Sequence, residues 1–197
     1  MSKAAPSFDA EYYDRYYFSA ETRIAEPEYF ERLGAFLTSY LDFLGCQVDT
    51  ILDAGCGAGL IHPMIRRAWP QASITAFDPS EYVCERYGWE RSTLEDFDSD
   101  ETFDLVICYD VLQYLERSAA DRALAKLCDL SRSALMFGVL TKEDWEVNCD
   151  QQRTDGRAHL RAARWYRRRL GRSFRNIGGG LYIRHDADVV TYALESM

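Results

Sequence analysis

The sequence predicts an α/β fold: a doubly wound, mostly parallel sheet with helices on both faces and an antiparallel hairpin at its C-terminal end. Three observations carry this. Short runs that are apolar on both faces alternate with segments whose apolar residues recur at three- and four-residue spacing, which is the signature of buried parallel strands and covering helices. A glycine-rich loop, "DAGCGAG" at residues 53–59, directly follows the first of those runs. The last two extended segments are separated by too few residues for a crossover helix and must pair antiparallel.

The elements follow in chain order. In "FDAEYYDRYYF", Tyr12 with Tyr16 and Tyr13 with Tyr17 stand four apart, so a helix there shows two aromatic rows. From Pro27 to Gly45, Tyr29, Phe30, Leu33, Leu37, Tyr40, Leu41 and Leu44 describe an amphipathic helix opened by proline and closed by glycine. "DTILDAG" reads as a strand, "LIHPMIRRAW" as a helix that Pro63 can join only near its first turn, and "SITAFD" as the second strand. "SEYVCERYG" is a short helix stopped by Gly88, "FDLVICYD" a strand, and "SAADRALAKLCDL" a helix in which Ser118 and Asp121 have capping-pair spacing. "SALMFGVL" follows as a strand and "RAHLRAARWYRRRL" as a helix. "FRNIGGGLYIR" and "DVVTYALES" close the chain as two strands turning at Asp186 to Asp188, with Gly178, Gly179 and Gly180 forming a bulge.

The chain has 197 residues, 47% hydrophobic and 14% aromatic, enough for one substantial core, so residues 1–197 are expected to form a single domain. No apolar run approaches the roughly 18 to 20 residues that cross a bilayer, and the N-terminus turns acidic and aromatic where a signal peptide needs an apolar block. A soluble cytoplasmic protein with no membrane partner is the expectation. Six cysteines without a C-x-x-C pair suggest reduced thiols, and neither a disulfide framework nor a metal site. Residues 1–149 carry 13 basic and 27 acidic side chains, whereas residues 150–197 carry 10 and 5. The acidic total argues against nonspecific nucleic-acid binding, while the basic tail leaves room for a local anionic contact.

Glycines directly after a buried strand let the backbone turn sharply and approach a ligand whose polar groups meet the next helix's free N–H groups. "DAGCGAG" therefore reads as a nucleotide-cofactor loop. NAD sites use the same device, but Asp53 at the strand end and Leu60, where a dinucleotide fingerprint has Gly or Ala, disfavour NAD. Asp78 closes the next strand, where an acid accepts from ribose hydroxyls, and "FDLVICYDVLQYL" supplies a strand end beside the loop if the strand order reverses there.

Together, "ILDAGCGAG", "ITAFDPS", "STLEDF" and "FDLVICYDVLQYL" resemble the sequential motifs of class I S-adenosylmethionine-dependent methyltransferases over residues 48–140. The resemblance implies a Rossmann-like, seven-stranded sheet, with 48–140 as the cofactor-binding core between an N-terminal helical segment, 1–45, that could act as a lid and a substrate-side segment, 141–197. It implies that Asp53, Gly55 and Gly57, with Ala54, Cys56 and Gly59 of the same loop, line the methionine part of S-adenosylmethionine. Asp78, followed by Pro79, meets the ribose, Leu94 and Glu95 the adenine, and Tyr109 and Asp110 the strand end that faces the sulfonium. Tyr114 stands where the family often has His.

The activated methyl needs chiefly a lone pair held in line and water kept out. Where the acceptor must lose a proton, Asp110, Tyr109, Tyr114 and His62 are the candidate bases, Asp110 foremost. The absence of "NPPY" favours a small-molecule acceptor. Candidate acceptor contacts are Tyr13 and Tyr17, Trp145, and Arg157 and Arg161, which with Arg164 and Arg168 repeat at four, three and four residues on the expected helix and would recognise a carboxylate or phosphate. The expected function is thus methyl transfer to a small, anionic or aromatic acceptor. A cofactor-binding or interaction module without activity and an NAD-dependent oxidoreductase stand as the alternatives; oligomeric state is left open.

Overall fold

The computed structural model describes residues 8–192. Five parallel strands, β1 (Thr50–Ala54), β2 (Ser73–Asp78), β3 (Glu90–Arg91), β4 (Phe103–Tyr109) and β5 (Ser131–Gly138), are joined by an antiparallel pair, β6 (Phe174–Gly178) and β7 (Leu181–Arg184). All seven form one sheet in the order β3-β2-β1-β4-β5-β7-β6. This is the Rossmann-like α/β arrangement that the alternation predicts. β3 carries no apolar signal: it is the exposed dipeptide Glu90–Arg91, paired to the end of β2.

Because successive strand residues face opposite sides, apolar runs such as Leu105–Cys108 feed two cores at once. Leu52, Val106, Cys108, Leu135 and Phe137 pack with α5 (Arg117–Leu130) and α7 (Ala163–Leu170). Ile51, Leu105, Ile107, Ala134 and Met136 pack with α2 (Pro27–Phe43) and α3 (His62–Ala68) on the other face. The helix α4 (Glu81–Tyr87) starts at Ser80, whose side chain accepts from Val83 N, and stops at Gly88 in the left-handed region. Among the described residues no helix is long and apolar enough to cross a membrane.

Four features depart from the sequence reading. The helix expected from Arg157 begins only at Ala163, because Arg157 lies in a turn and residues 158–162 are held out of a helix by the Thr141–Arg161 bridge and by His159 N donating to Gln113 O at 2.6 Å. "FRNIGGGLYIR" is a whole hairpin and not one strand: Gly178, Gly179 and Gly180 all have positive φ and turn the chain back on itself, with a register shift between Asn176 and Gly178. The expected strand "DVVTYALES" does not form over residues 188–192, and its remainder lies outside the described residues. The Ser118–Asp121 pair does not cap α5; the cap residue is Glu116, and Asp121 pairs with Arg169.

Asp104 ties the N-terminal ends of β1 and β4 together. Its Oδ2 accepts from Asp49 N, Thr50 N and Thr50 Oγ1 at 2.9 to 3.0 Å, and its Oδ1 from Arg132 Nη1 at 2.7 Å. Burial pushes the Asp104 carboxyl up, but these donors outweigh it and hold it below the ordinary carboxylate range. Asp104→Ala should therefore lower stability by about 1–2 kcal/mol in urea melts at pH 7, since it removes the acceptor of several partly buried hydrogen bonds. The ionised carboxylate's contribution is complete above about pH 4 and is lost as pH falls through the lowered native value, so the gap to wild type should shrink on acidification. A pH-independent gap would count against this account.

Candidate active site

The strand order reverses between β1 and β4, so the chain leaves β1 toward one face and β4 toward the other, opening a crevice at their C-terminal ends. The glycine loop fills the β1 side. Gly55 N and Cys56 N both donate to Phe77 O, at 2.9 and 3.1 Å, and Gly59 N donates to Cys56 O at 2.9 Å. Gly55 and Gly57 have φ of 78° and 53°, and a Cβ at Gly55 would stand 2.4 Å from Val111 Cγ2. Bare backbone at these positions is a steric requirement.

Asp78, buried at the end of β2, organises the loop. Its Oδ2 accepts from Gly57 N at 2.9 Å and its Oδ1 from Ser80 N at 2.9 Å, with the Tyr13 hydroxyl a long 3.5 Å away. Burial raises the Asp78 carboxyl above its ordinary range, partly offset by the Ser80 and Gly57 N–H groups. Two carboxylate oxygens offer about four lone-pair sites, so room remains for hydroxyl donors. Asp78, Pro79, Thr93, Leu94, Gly55 and Gly57 line a cavity of about 740 Å³, which Tyr12, Tyr13 and Tyr17 roof over. Its size is within the range of small-molecule and cofactor sites.

Asp53 does not stand free in this cavity. His62 Nε2 lies 2.8 Å from Asp53 Oδ2, and both side chains are buried. A ring carrying its proton on Nε2 donates to that carboxylate, while Nδ1 is left buried without a partner. Asp53 lines only a small pocket of about 70 Å³ with Cys56, Gly57, Tyr17 and Asp110, and His62 lines none of these cavities. Trp89 covers the loop from outside: its Nε1 donates to Gly57 O at 3.0 Å and its ring meets His62 edge-on at 5.0 Å.

On the opposite wall, Asp110 follows β4 with φ of 60°, rare for a residue with a side chain. Burial pushes its carboxyl up to about 6, only partly opposed by Gln113, whose Nε2 donates to Asp110 Oδ1 at 3.4 Å. Tyr109 and Tyr114 are a different case. Burial raises both phenols well beyond neutrality, so they remain hydroxyls and can donate but not act as bases. Tyr109 Oη lies 2.6 Å from Tyr29 Oη, and Tyr114 Oη 3.0 Å from Tyr12 Oη.

A second cavity of about 760 Å³ adjoins the first, and Tyr12, Tyr17, Tyr109, Asp110 and Tyr114 line both. Its walls are aromatic, from Tyr16, Tyr29, Phe137, Tyr166 and Tyr182, with Asp144, Asp150 and Asp155 on the rim and Arg167 as its arginine. The helical turn α1 (Ala10–Tyr13) runs into a π-helical turn at Asp14–Phe18, which separates the two cavities. Tyr12 and Tyr16 rings sit 4.9 Å apart, and those of Tyr13 and Tyr17 5.3 Å apart.

The remaining residues singled out from sequence lie elsewhere. Arg157 closes on Asp155, with Nε 2.9 Å from Oδ1, and stacks over the Tyr12 ring. Arg161 is spent on backbone carbonyls: Leu112 O and His159 O at 3.1 Å each, and Leu115 O. Neither lines the aromatic cavity, and the expected four-arginine face does not exist because Arg157 and Arg161 precede the helix. Trp145 also lines neither cavity; it packs against Gly156. Glu95 is exposed and pairs with Arg122 at 2.5 Å, leaving Leu94 and Thr93 at the cavity wall. Ala54 is buried in the sheet, and Gly59 packs under Trp89 and His62. Sequence reasoning missed Gln113, Tyr29 and Trp89. The only signal available was their position just after a strand end, at a helix start or beside β3.

Comparison with known proteins bears on this geometry. Residues 51–134 match the family model described as a methyltransferase domain. A trans-aconitate 2-methyltransferase of Pseudomonas paraeruginosa is 32% identical over 88 residues, 40% of this chain and 32% of that protein. A ubiquinone biosynthesis O-methyltransferase of Rickettsia conorii is 35% identical over 75 residues, 34% of this chain and 26% of that one. The chain thus matches a third or less of these relatives' lengths. Among solved structures, the magnesium protoporphyrin IX methyltransferase of Synechocystis PCC 6803 with bound SAH superposes with a TM-score of 0.59 at 20% identity, over 85% of this chain and 86% of that one. The N-methyltransferase NodS of Bradyrhizobium japonicum WM9 with S-adenosyl-l-homocysteine gives 0.57 at 18%, over 80% and 88%. These likenesses extend the fold assignment beyond the matched domain.

Gly55→Ala should cost about 2–4 kcal/mol of stability, combining left-handed backbone strain with overpacking against Val111. A thermal melt within about 1 °C of wild type would show that the loop is not held this tightly.

Proposed function

We propose, from the match of residues 51–134 to a methyltransferase domain, that this protein is a class I S-adenosylmethionine-dependent methyltransferase and transfers the methyl group to a small-molecule acceptor by in-line displacement. The observation that carries the proposal is the junction of two cavities at Asp110, Tyr109 and Tyr17, where a donor on one side and an acceptor on the other would meet.

The residues present fit the cofactor. Asp78 has lone pairs to spare for the two ribose hydroxyls, Thr93 and Leu94 form an edge for the adenine, and Gly55 and Gly57 present backbone without a side chain. Asp53, already oriented by His62, faces the small pocket next to the loop and suits an ammonium. When bound, S-adenosylmethionine supplies an electrophilic methyl on a sulfonium. The chain's own part is to align the acceptor, exclude water with the tyrosines of residues 12–17, and take up a proton where the acceptor carries one. Asp110 suits that last task, being the group at the junction that titrates near neutrality.

The aromatic cavity supports an aromatic acceptor. The reading of an anionic one loses its basis, since Arg157 and Arg161 are consumed by Asp155 and by backbone carbonyls. The NAD-dependent alternative is opposed by Asp53 and Leu60.

Calorimetric titration tests the proposal: S-adenosylhomocysteine should bind and NAD should not. Asp78→Asn should weaken S-adenosylhomocysteine by about 10- to 100-fold, the loss of charge-assisted hydrogen bonds. Unchanged affinity in this variant, or preferential NAD binding, would sink it. Transfer of labelled methyl to an isolated acceptor distinguishes an enzyme from a module that only binds the cofactor.

A further inference from the structure

Gln113 is 4% exposed, sits on the 3₁₀ turn Leu112–Tyr114, and lines the aromatic cavity but not the cofactor cavity. Its Nε2 donates to Asp110 and its backbone oxygen accepts from His159 N, yet its side-chain Oε1 is buried with no partner. The amide cannot be turned round to cure this, because Oε1 would then face the Asp110 carboxylate. A buried amide oxygen without a donor costs about 1–3 kcal/mol, so its retention in a cavity wall points to a ligand that supplies one. Asp110 beside it is in a similar state: Gln113 Nε2 is the one donor that the described residues bring to its carboxylate, and its left-handed backbone holds it at the junction.

Two oxygen acceptors, one charged, therefore lie side by side in a wall that also carries Tyr12, Tyr17, Tyr109 and Tyr114. Of the cavity's other carboxylates, Asp155 is paired with Arg157 and Asp144 feels the cavity's arginine, Arg167, so Asp150 and Asp110 leave the field negative. A carboxylate or phosphate ligand would meet repulsion here. A hydroxyl has one hydrogen for two acceptors. An ammonium has enough for both, carries the complementary charge, and is favoured by the faces of the surrounding tyrosines.

We propose that the methyl acceptor is a primary or secondary amine, bound by Gln113 Oε1 and the Asp110 carboxylate, and that Gln113 selects nitrogen over oxygen acceptors. This rests on the methyltransferase reading above. The amine arrives protonated and passes one proton to Asp110. Its freed lone pair then forms the nitrogen–carbon bond while the methyl–sulfur bond breaks, the electron pair staying on sulfur. The product leaves as a methylated ammonium with the donor reduced in charge to a thioether, and Asp110 returns its proton to water. Tyr17, Cys108, Tyr109 and Tyr114 face Asp110 and stay uncharged near neutrality, while the carboxylate that shares the small pocket with it, Asp53, is hydrogen-bonded to His62.

The test uses the full chain loaded with S-adenosylhomocysteine and three matched probes, 2-phenylethylamine, 2-phenylethanol and 3-phenylpropionate. The amine should bind at least about tenfold more tightly than the other two, and with S-adenosylmethionine it alone should accept label. Gln113→Met should raise the amine's KM by about tenfold or more and erase the preference over the alcohol, with S-adenosylhomocysteine affinity unchanged. The rate of amine methylation should fall below about pH 6 in wild type, a limb that Asp110→Asn removes. Equal or tighter binding of the alcohol or acid, or an unaltered amine KM in Gln113→Met, overturns the assignment. Failure to bind S-adenosylhomocysteine would instead overturn the methyltransferase reading itself.

Discussion

Neighbouring strands β1 and β4 lead their chains to opposite faces of the sheet, and this reversal is the constraint on which the rest of the site depends. At every other parallel junction the connecting segments crowd over the strand ends. Here they part, and the crevice between them must be lined by whatever follows each strand. β1 is followed by a loop that only glycines can form, β2 by Asp78, and β4 by Asp110 on a left-handed backbone. The two buried layers beneath hold these ends rigid, because each strand is gripped on both faces.

Three carboxylates reach this crevice, and each is stabilised differently. Asp53 is matched by a buried imidazole, Asp78 by backbone N–H groups, and Asp110 by little beyond one amide. Desolvation is therefore little compensated at Asp110, whose carboxyl burial pushes up to about 6. The arginines that might have relieved it are engaged elsewhere. Arg161 satisfies the carbonyls of the turn that follows Asp110, so it shapes the crevice wall without entering it.

Much of the fold was legible because it is written locally. Strands apolar on both faces, a proline-opened helix at Pro27 and glycines after β1 need no knowledge of distant residues. The terminal hairpin was misplaced because three consecutive glycines serve equally well as a bulge or as a reversal. Pairing of β7 with β5 decides between them. The arginine repeat was misread for a related reason: its spacing fits a helix, but residues 158–162 are held out of one by bonds to residues 113 and 141, far away in sequence.

The sequence by itself determined the parallel sheet, the glycine loop and the acid at the end of β2, since each follows from side-chain periodicity or backbone conformational freedom over a few residues. Only the tertiary structure decided that His62 orients Asp53, that Trp89 covers the loop, that tyrosines from residues 12–17 stand between two cavities, and that Gln113 presents an unanswered oxygen beside Asp110. Those are contacts between segments remote in the chain. Their energies depend on burial and distance, which no local pattern encodes.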